Sequence, residues 1–416
     1  MKLKRVVVTG IGALTPIGNN VPAFWDNLLK GVSGAAPITY FNTEHFKTKF
    51  ACEVKNFNVL DFLDSKTARR MDPGSQFAVV ATKEAVADSG LDFSKEDARR
   101  IGVVYGSAIG GFQTLHDSFL IYLLENGRVP RFNPFLLPMV LMDSIAGNLA
   151  LHFGLQGPNY MTTAACASAG NAIIDAFNYI RLGRCDMMVT GGTEACIAEL
   201  TVGGFDAMRA LSTRNDEPQR ASRPFDVDRD GFVMGEGAAT LILEELEHAQ
   251  ARGAHIYAEL VGGGLSCDAF HITAPRPDGA GAAMSMRLAL EEADMQPEEV
   301  DYINAHGTST AMGDISECNA IADVFGDHAK DLLISSTKSM TGHMLGAAPA
   351  IESIASILAM NKGIAPPTIN LDHKDPVLPD WNFCPHKPVK KDIRVALSNS
   401  FGFGGHNLTL LYKKFE

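Results

Sequence analysis

The sequence predicts an α/β protein made of two similar halves. Three observations lead there. Short β-branched runs alternate with longer helical patterns along the chain. Two segments rich in small residues, 163–170 and 346–350, each lead into an apolar helix. At 416 residues the chain exceeds what one hydrophobic core usually organises. The alternation calls for parallel sheets covered by helices, with function at loops beyond the strand ends. The charged stretch 247–255 is the expected junction, dividing the chain into residues 1–253 and 254–416.

In order, the first strand is residues 5–9. The opening Lys2 to Arg5 with Val6, Val7 and Val8 imitates a signal peptide, but Thr9, Gly10, Gly12 and Pro16 break the apolar run too early, so a buried strand and a turn are expected. Strands follow at 101–105, 187–190, 256–261, 302–304, 332–335 and 395–397. Between them fall helices at 76–88, 167–182, 280–292 and 351–360, and Pro349 suits a first helical turn, where its missing N–H costs nothing.

Composition narrows the function. A net charge of −12 argues against nucleic acid, whose binding draws on clustered Lys and Arg. No uncharged apolar run reaches the roughly 18 residues a membrane span needs, so no membrane insertion is expected. Seven cysteines, an odd number without close pairing, give neither a disulfide framework nor a zinc-finger pattern and point to a reducing cytoplasm.

Chemistry concentrates at strand ends. Cys166 sits where a loop of small residues enters a helix, so helix-terminal amides favour its thiolate; a small packing cysteine fits the same segment. His306, in Ala305-His306-Gly307-Thr308-Ser309-Thr310, follows one strand, and His343, in 338–346, follows another. Two such histidines with a cysteine and Lys338 are hard to ascribe to packing alone. The tail Asn399-Ser400-Phe401-Gly402-Phe403-Gly404-Gly405-His406-Asn407 reads as a loop able to hinge and present amides, or as a plain glycine-rich turn. Lys66, Arg69 and Arg70, spaced i, i+3 and i+4, form one basic face if helical.

With these motifs the chain resembles the elongating β-ketoacyl-acyl-carrier-protein synthases of the thiolase-like superfamily. The likeness runs nearly end to end, through Val6 to Gly12, Gly203-Gly204-Phe205, Arg209-Ala210-Leu211-Ser212, Arg223-Pro224-Phe225-Asp226, Asp230-Gly231-Phe232-Val233, His306-Gly307-Thr308 and Gly402-Phe403-Gly404-Gly405. It implies a thiolase-like fold of two halves in αβαβα layers. It implies that Cys166 takes an acyl group from a carrier-protein thioester, and that malonyl carrier protein then loses carbon dioxide and attacks it. Amides of Cys166 and Phe403 would hold the tetrahedral oxyanion, and His306 and His343 the enolate. Lys338 and Glu352 match a pair that tunes the histidines, Thr308 and Thr310 a pantetheine-binding pair, Ile109 and Phe205 the acyl-pocket wall, and Phe403 a gate. Lys66, Arg69 and Arg70, extended by Arg209, would dock the acidic carrier protein. A homodimer is implied, with residues 112–138 at the interface, and no cofactor or metal.

Three positions depart from the pattern: Ala164, Pro349 and His406. A specialised polyene or polyketide elongating enzyme stays open on that account. A nicotinamide dehydrogenase is suggested by Gly10-Ile11-Gly12, but Thr15 stands where the third glycine belongs. A zinc hydrolase using Cys166, His306 and His343 is chemically acceptable. A non-catalytic chain-length partner would lack the nucleophile that Cys166 supplies.

Overall fold

The computed structural model describes residues 3–124 and 131–416. Ten strands form one continuous sheet: β1 (Val6–Leu14), β2 (Ile101–Gly106), β3 (Asn159–Thr162), β4 (Met187–Glu194), β5 (Gly237–Glu245), β6 (Ala258–Cys267), β7 (Tyr302–Asn304), β8 (Leu333–Ser335), β9 (Val395–Gly402) and β10 (His406–Lys413). Their spatial order is β8-β7-β9-β10-β6-β1-β5-β4-β2-β3. β1 to β5 repeat as β6 to β10. In each set the first strand pairs antiparallel with the fifth and the fifth antiparallel with the fourth. The fourth then pairs parallel with the second, and the second with the third. The sets join at a short antiparallel seam, Val6 to Leu260, Val7 to Glu259 and Val8 to Ala258.

The helices repeat as well: α1 (Pro73–Ser89), α2 (Ser144–Phe153) and α3 (Ser168–Arg181) in the first half, α4 (Ala280–Glu292), α5 (Ala311–Phe325) and α6 (Ala348–Lys362) in the second. α1 packs on β1, β5 and α2, while α4 packs on β6, β10 and α5, so these pairs cover the two outer faces. α3 and α6 touch each other and strands of both halves, forming the central layer. The result is αβαβα. α6 is buried at every residue from Ala348 to Met360, which is why, apart from Glu352, its sequence there is apolar or small on all sides rather than amphipathic. Pro349 occupies its first turn, as expected.

The expected parallel sheets are corrected to mixed ones. β5 and β10 carry no clear signal, and each inserts antiparallel; β10 follows β9 through a turn of three residues, too short for a parallel crossover. The first strand also outruns its expectation. It continues to Leu14 with a bulge between Val8 and Gly10, because the glycines there serve close packing rather than a turn. A side chain on Gly12 would strike Ala81 O of α1, and one on Gly264 would strike Ser285 O of α4. These are the matching contacts of first strand on first helix in the two halves. The stretch 247–255 forms most of a short helix, Leu246–Ala251, and the turn linking β5 to β6.

Gly264→Ala therefore forces strand and helix apart. Denaturant unfolding is expected to show a loss of about 1–3 kcal/mol, the range for overpacking a well-filled core.

Candidate active site

The loops beyond β3, β7, β8 and β9 converge on one cavity of about 610 Å³. After β3 the chain turns sharply, with Ala165 at φ 48°, and Ser168 Oγ accepts from Ala164 N at 2.9 Å while donating to Ala165 O at 2.6 Å. This elbow holds Cys166, half-buried, two residues before α3. After β8, Gly342 at φ 67° turns His343 inward, and its backbone N–H donates to Val233 O at 2.7 Å. His343 Nε2 lies 3.0 Å from Cys166 Sγ.

His306 follows β7. Its ring meets that of His343 edge to face, centroids 5.3 Å apart. Glu317 of α5 fixes the loop, accepting from His306 N at 2.9 Å and Gly307 N at 2.8 Å. Behind the imidazoles Lys338 and Glu352 form an ion pair, each side chain 1% exposed. The fourth loop brings Gly402 so close that a side chain there would lie 3.0 Å from Cys166 N, and the N–H of Phe403 donates toward the Cys166 sulfur. The segment carrying the Phe403 amide thus lies against the Cys166 amide beside the thiol.

Burial governs the protonation states. It pushes the Cys166 thiol up to about 12, against the pull of the Lys338 charge. Burial thus favours the neutral thiol at rest, in opposition to the pull expected of the helix terminus. Burial holds both imidazoles well below their ordinary value, with Lys338 acting in the same direction. Both histidines are neutral near pH 7, each able to donate one N–H.

The cavity also presents Thr308, Thr310, Ile109, Phe205, Phe403 and Arg209. Thr308 Oγ1 and Thr310 Oγ1 are 3.0 Å apart, and the Phe205 and Phe403 rings are 6.4 Å apart. Lys66, Arg69 and Arg70 lie outside it. Their single helical face is corrected: the helix there is only Ser65–Ala68, Arg69 caps it, and Arg70 leaves it to set its guanidinium 4.4 Å from the centre of the Phe135 ring. Among the described residues, no three His, Cys, Asp or Glu side chains gather as a metal site. Sequence reasoning missed Glu317 and Glu194, buried carboxylates that receive loop amides; neither stands in a recognisable motif, and only the strand-end position of Glu194 marks it.

Over residues 3–249 the chain matches the family described as beta-ketoacyl synthase, N-terminal domain, and over 257–372 its C-terminal domain. It is 49% identical over 416 residues to a 3-oxoacyl-[acyl-carrier-protein] synthase 2 of Synechocystis sp., covering 100% of this chain and 99% of that one. The enzyme of the same name from Staphylococcus aureus (strain COL) is 50% identical over 413 residues, 99% of each chain. Among solved structures, the ishigamide ketosynthase/chain length factor aligns with TM-score 0.93 at 35% identity, covering 100% of both chains. A type II PKS ketosynthase bound to the hexaketide, in complex with its acyl-carrier protein, aligns with TM-score 0.92 at 37% identity, covering 99% of this chain and 100% of that one.

A resting thiol makes its own test. Alkylation of Cys166 by iodoacetamide, followed by peptide mass so that exposed Cys267 is counted apart, is expected to accelerate about tenfold per pH unit from 7 to 9, as thiolate fraction does below a raised pKa. A rate already level at pH 7 would mean a thiolate.

Proposed function

The chain belongs to the β-ketoacyl synthase family, and from that premise we propose that it extends carrier-bound fatty acyl chains by two carbons. The observation that carries the reading is Cys166 Sγ 3.0 Å from His343 Nε2, with the His306 ring beside it in one cavity. In the first step Cys166 Sγ bonds to the acyl carbonyl carbon of a carrier-protein thioester. The thiol proton ends on the departing pantetheine sulfur. In the second, the carboxylate bond of malonyl carrier protein breaks, carbon dioxide leaves, and the electron pair moves onto the thioester oxygen, where N–H groups of His306 and His343 meet it. The enolate carbon attacks the acyl-Cys166 carbonyl, the oxyanion rests on the amides of Cys166 and Phe403, and collapse expels the Cys166 sulfur as a thiolate, which takes up a proton from solvent to restore the thiol. Lys338 and Glu352 hold the imidazoles neutral and oriented; Thr308 and Thr310 line the pantetheine path; Ile109 and Phe205 wall the acyl pocket. No step draws on a metal or cofactor.

The same chemistry on a polyene or polyketide chain is a second reading, favoured by the likeness to ketosynthases so titled, at 35–37% identity against 49–50% for the 3-oxoacyl synthases. Acyl carrier protein would approach the basic side chains Lys66, Arg69, Arg70 and Arg209. The boundary between the two repeats is placed between residues 253 and 254, a reading supported by the gap between the family matches, which end at 249 and resume at 257. A homodimer is supported by apolar side chains left exposed on the helices Phe112–Leu124 and Leu136–Val140, Leu124 at 81% and Leu137 at 68%. Of the interface segment 112–138, residues 125–130 lie outside the described residues. No helix among the described residues is long and apolar enough to cross a membrane, and a cytoplasmic location is proposed.

Intact-mass spectrometry after incubation with acyl carrier proteins of several chain lengths is expected to show one acyl adduct on wild type and none on Cys166→Ala. An adduct on the variant, or none on wild type with any donor, overturns the reading. His306→Ala is expected to lower malonyl decarboxylation by about 10²–10³-fold, the cost of one oxyanion donor. Because both imidazoles sit well below their ordinary value, the wild-type decarboxylation rate is expected to show no imidazole titration between pH 6 and 8. A fall in rate as pH drops through 6.5 would mean an ordinary histidine.

A further inference from the structure

Glu194 ends β4 and is 1% exposed. Its carboxylate takes four donors from two different loops. Oε1 accepts from Ser107 Oγ at 3.0 Å and Ile109 N at 3.2 Å; Oε2 accepts from Ala108 N at 2.8 Å and Gly346 N at 3.0 Å. Ala108 and Ile109 form the cavity wall beyond β2, and Gly346 follows His343 by three residues in the other half of the chain. None of the four partners is a cation, so amide and hydroxyl dipoles alone face a carboxyl group whose pKa burial raises to about 7.

The surroundings are shaped for this contact. A side chain on Gly346 would run into Ala108 N and stand 2.7 Å from Glu194 Oε2, so the two loops touch only because that position is glycine. Ser107 Oγ also accepts from Gly110 N at 2.9 Å, which carries the restraint past Ile109 to the next turn. A carboxylate has about four lone-pair directions, and here each has a donor. A glutamine in its place turns its N–H₂ either toward the N–H of Ile109 or toward those of Ala108 and Gly346, and breaks that match in both orientations.

We propose that Glu194 is a positioning residue that sets acyl-chain preference by clamping the pocket wall at Ile109 to the His343 loop. The inference rests on the proposed acyl transfer. Glu194 touches neither substrate nor Cys166; it acts through the wall. Loosening the clamp lets Ile109 move against a long acyl chain and leaves a short one little affected. This separates the residue from a general fold support, whose loss would depress all substrates alike.

The test is the rate of Cys166 acylation by carrier protein loaded with a short or a long saturated chain, followed by intact mass over a range of donor concentrations. For Glu194→Gln the KM for the long donor is expected to rise about tenfold relative to the short one, the scale on which small misplacements act. An unchanged ratio, whether both donors slow equally or neither slows, overturns the proposal. If Glu194→Gln does not fold by near-ultraviolet circular dichroism, Ser107→Ala removes one donor and keeps the carboxylate. It is then expected to shift the ratio in the same direction by a smaller factor, and an unchanged ratio overturns the proposal there too. A wild type that takes no acyl group overturns the function itself, and that result is distinct from a wild type that is acylated beside an unaltered variant.

Discussion

Everything at the site depends on the packing of α3 against α6 between the two five-stranded sets of the sheet. The contact brings the N-terminal ends of two helices from opposite halves to one place, and Cys166 and His343 stand just ahead of them. Neither half holds both groups, so the 3.0 Å approach is made by tertiary packing alone. Close helix approach is what the small residues permit. A side chain on Gly170 would collide with Leu408 of β10, and one on Gly192 would lie 2.5 Å from Ala169 Cβ. The helix ends supply positive dipole where anionic states form, and the sheets on either side exclude water that would screen it.

That burial decides how the site handles charge. With a neutral thiol and two neutral imidazoles, the three central groups are uncharged at rest, and the ionisable groups around them are the Lys338–Glu352 pair and the buried carboxyls of Glu194 and Glu317. Charge appears only along the reaction, on thioester and enolate oxygens, and N–H donors are already aimed there. The ion pair has a further consequence. Losing either member leaves the other buried and unpaired, a cost of about 3–5 kcal/mol, so the pair that tunes the imidazoles also ties catalysis to stability.

The halves, the helix entries and the three central side chains were legible because each has a local signature. A short apolar strand ends ahead of His306 and of His343, and Cys166 stands among small residues at the entry to an apolar helix. β5 and β10 were illegible because they lie inside a sheet buried on both faces and show no alternation, and with them went the mixed strand directions. The basic face at Lys66 failed for a different reason. Spacing alone assumed a helix that continues, while Asp64 starts one whose regular part ends after Ala68. Glu194 and Glu317 were hidden because their partners are backbone amides, which leave no trace in a sequence.

The glycine hairpin unites these strands of argument. Phe403 faces the acyl pocket with its ring, 6.4 Å from Phe205, and faces Cys166 with its amide. One residue therefore belongs both to the pocket wall and to the proposed oxyanion hole, so a chain that displaces the ring also moves the amide. Gly404 and Gly405, at φ 88° and 75°, occupy backbone space that other residues enter at a cost. The hairpin is tethered where Gly404 N donates to Ile272 O at 2.6 Å and Asp268 N to Gly405 O at 2.9 Å. Any swing of Phe403 must loosen those bonds or carry residues 268–272 along with it. If Phe403 is the gate, the free energy for opening the pocket would come from burying the incoming acyl chain, at roughly 0.8 kcal/mol per methylene, against about 0.5–1.5 kcal/mol for each hydrogen bond given up. On those magnitudes a few methylenes would suffice, and a donor with almost no chain would leave the hairpin closed.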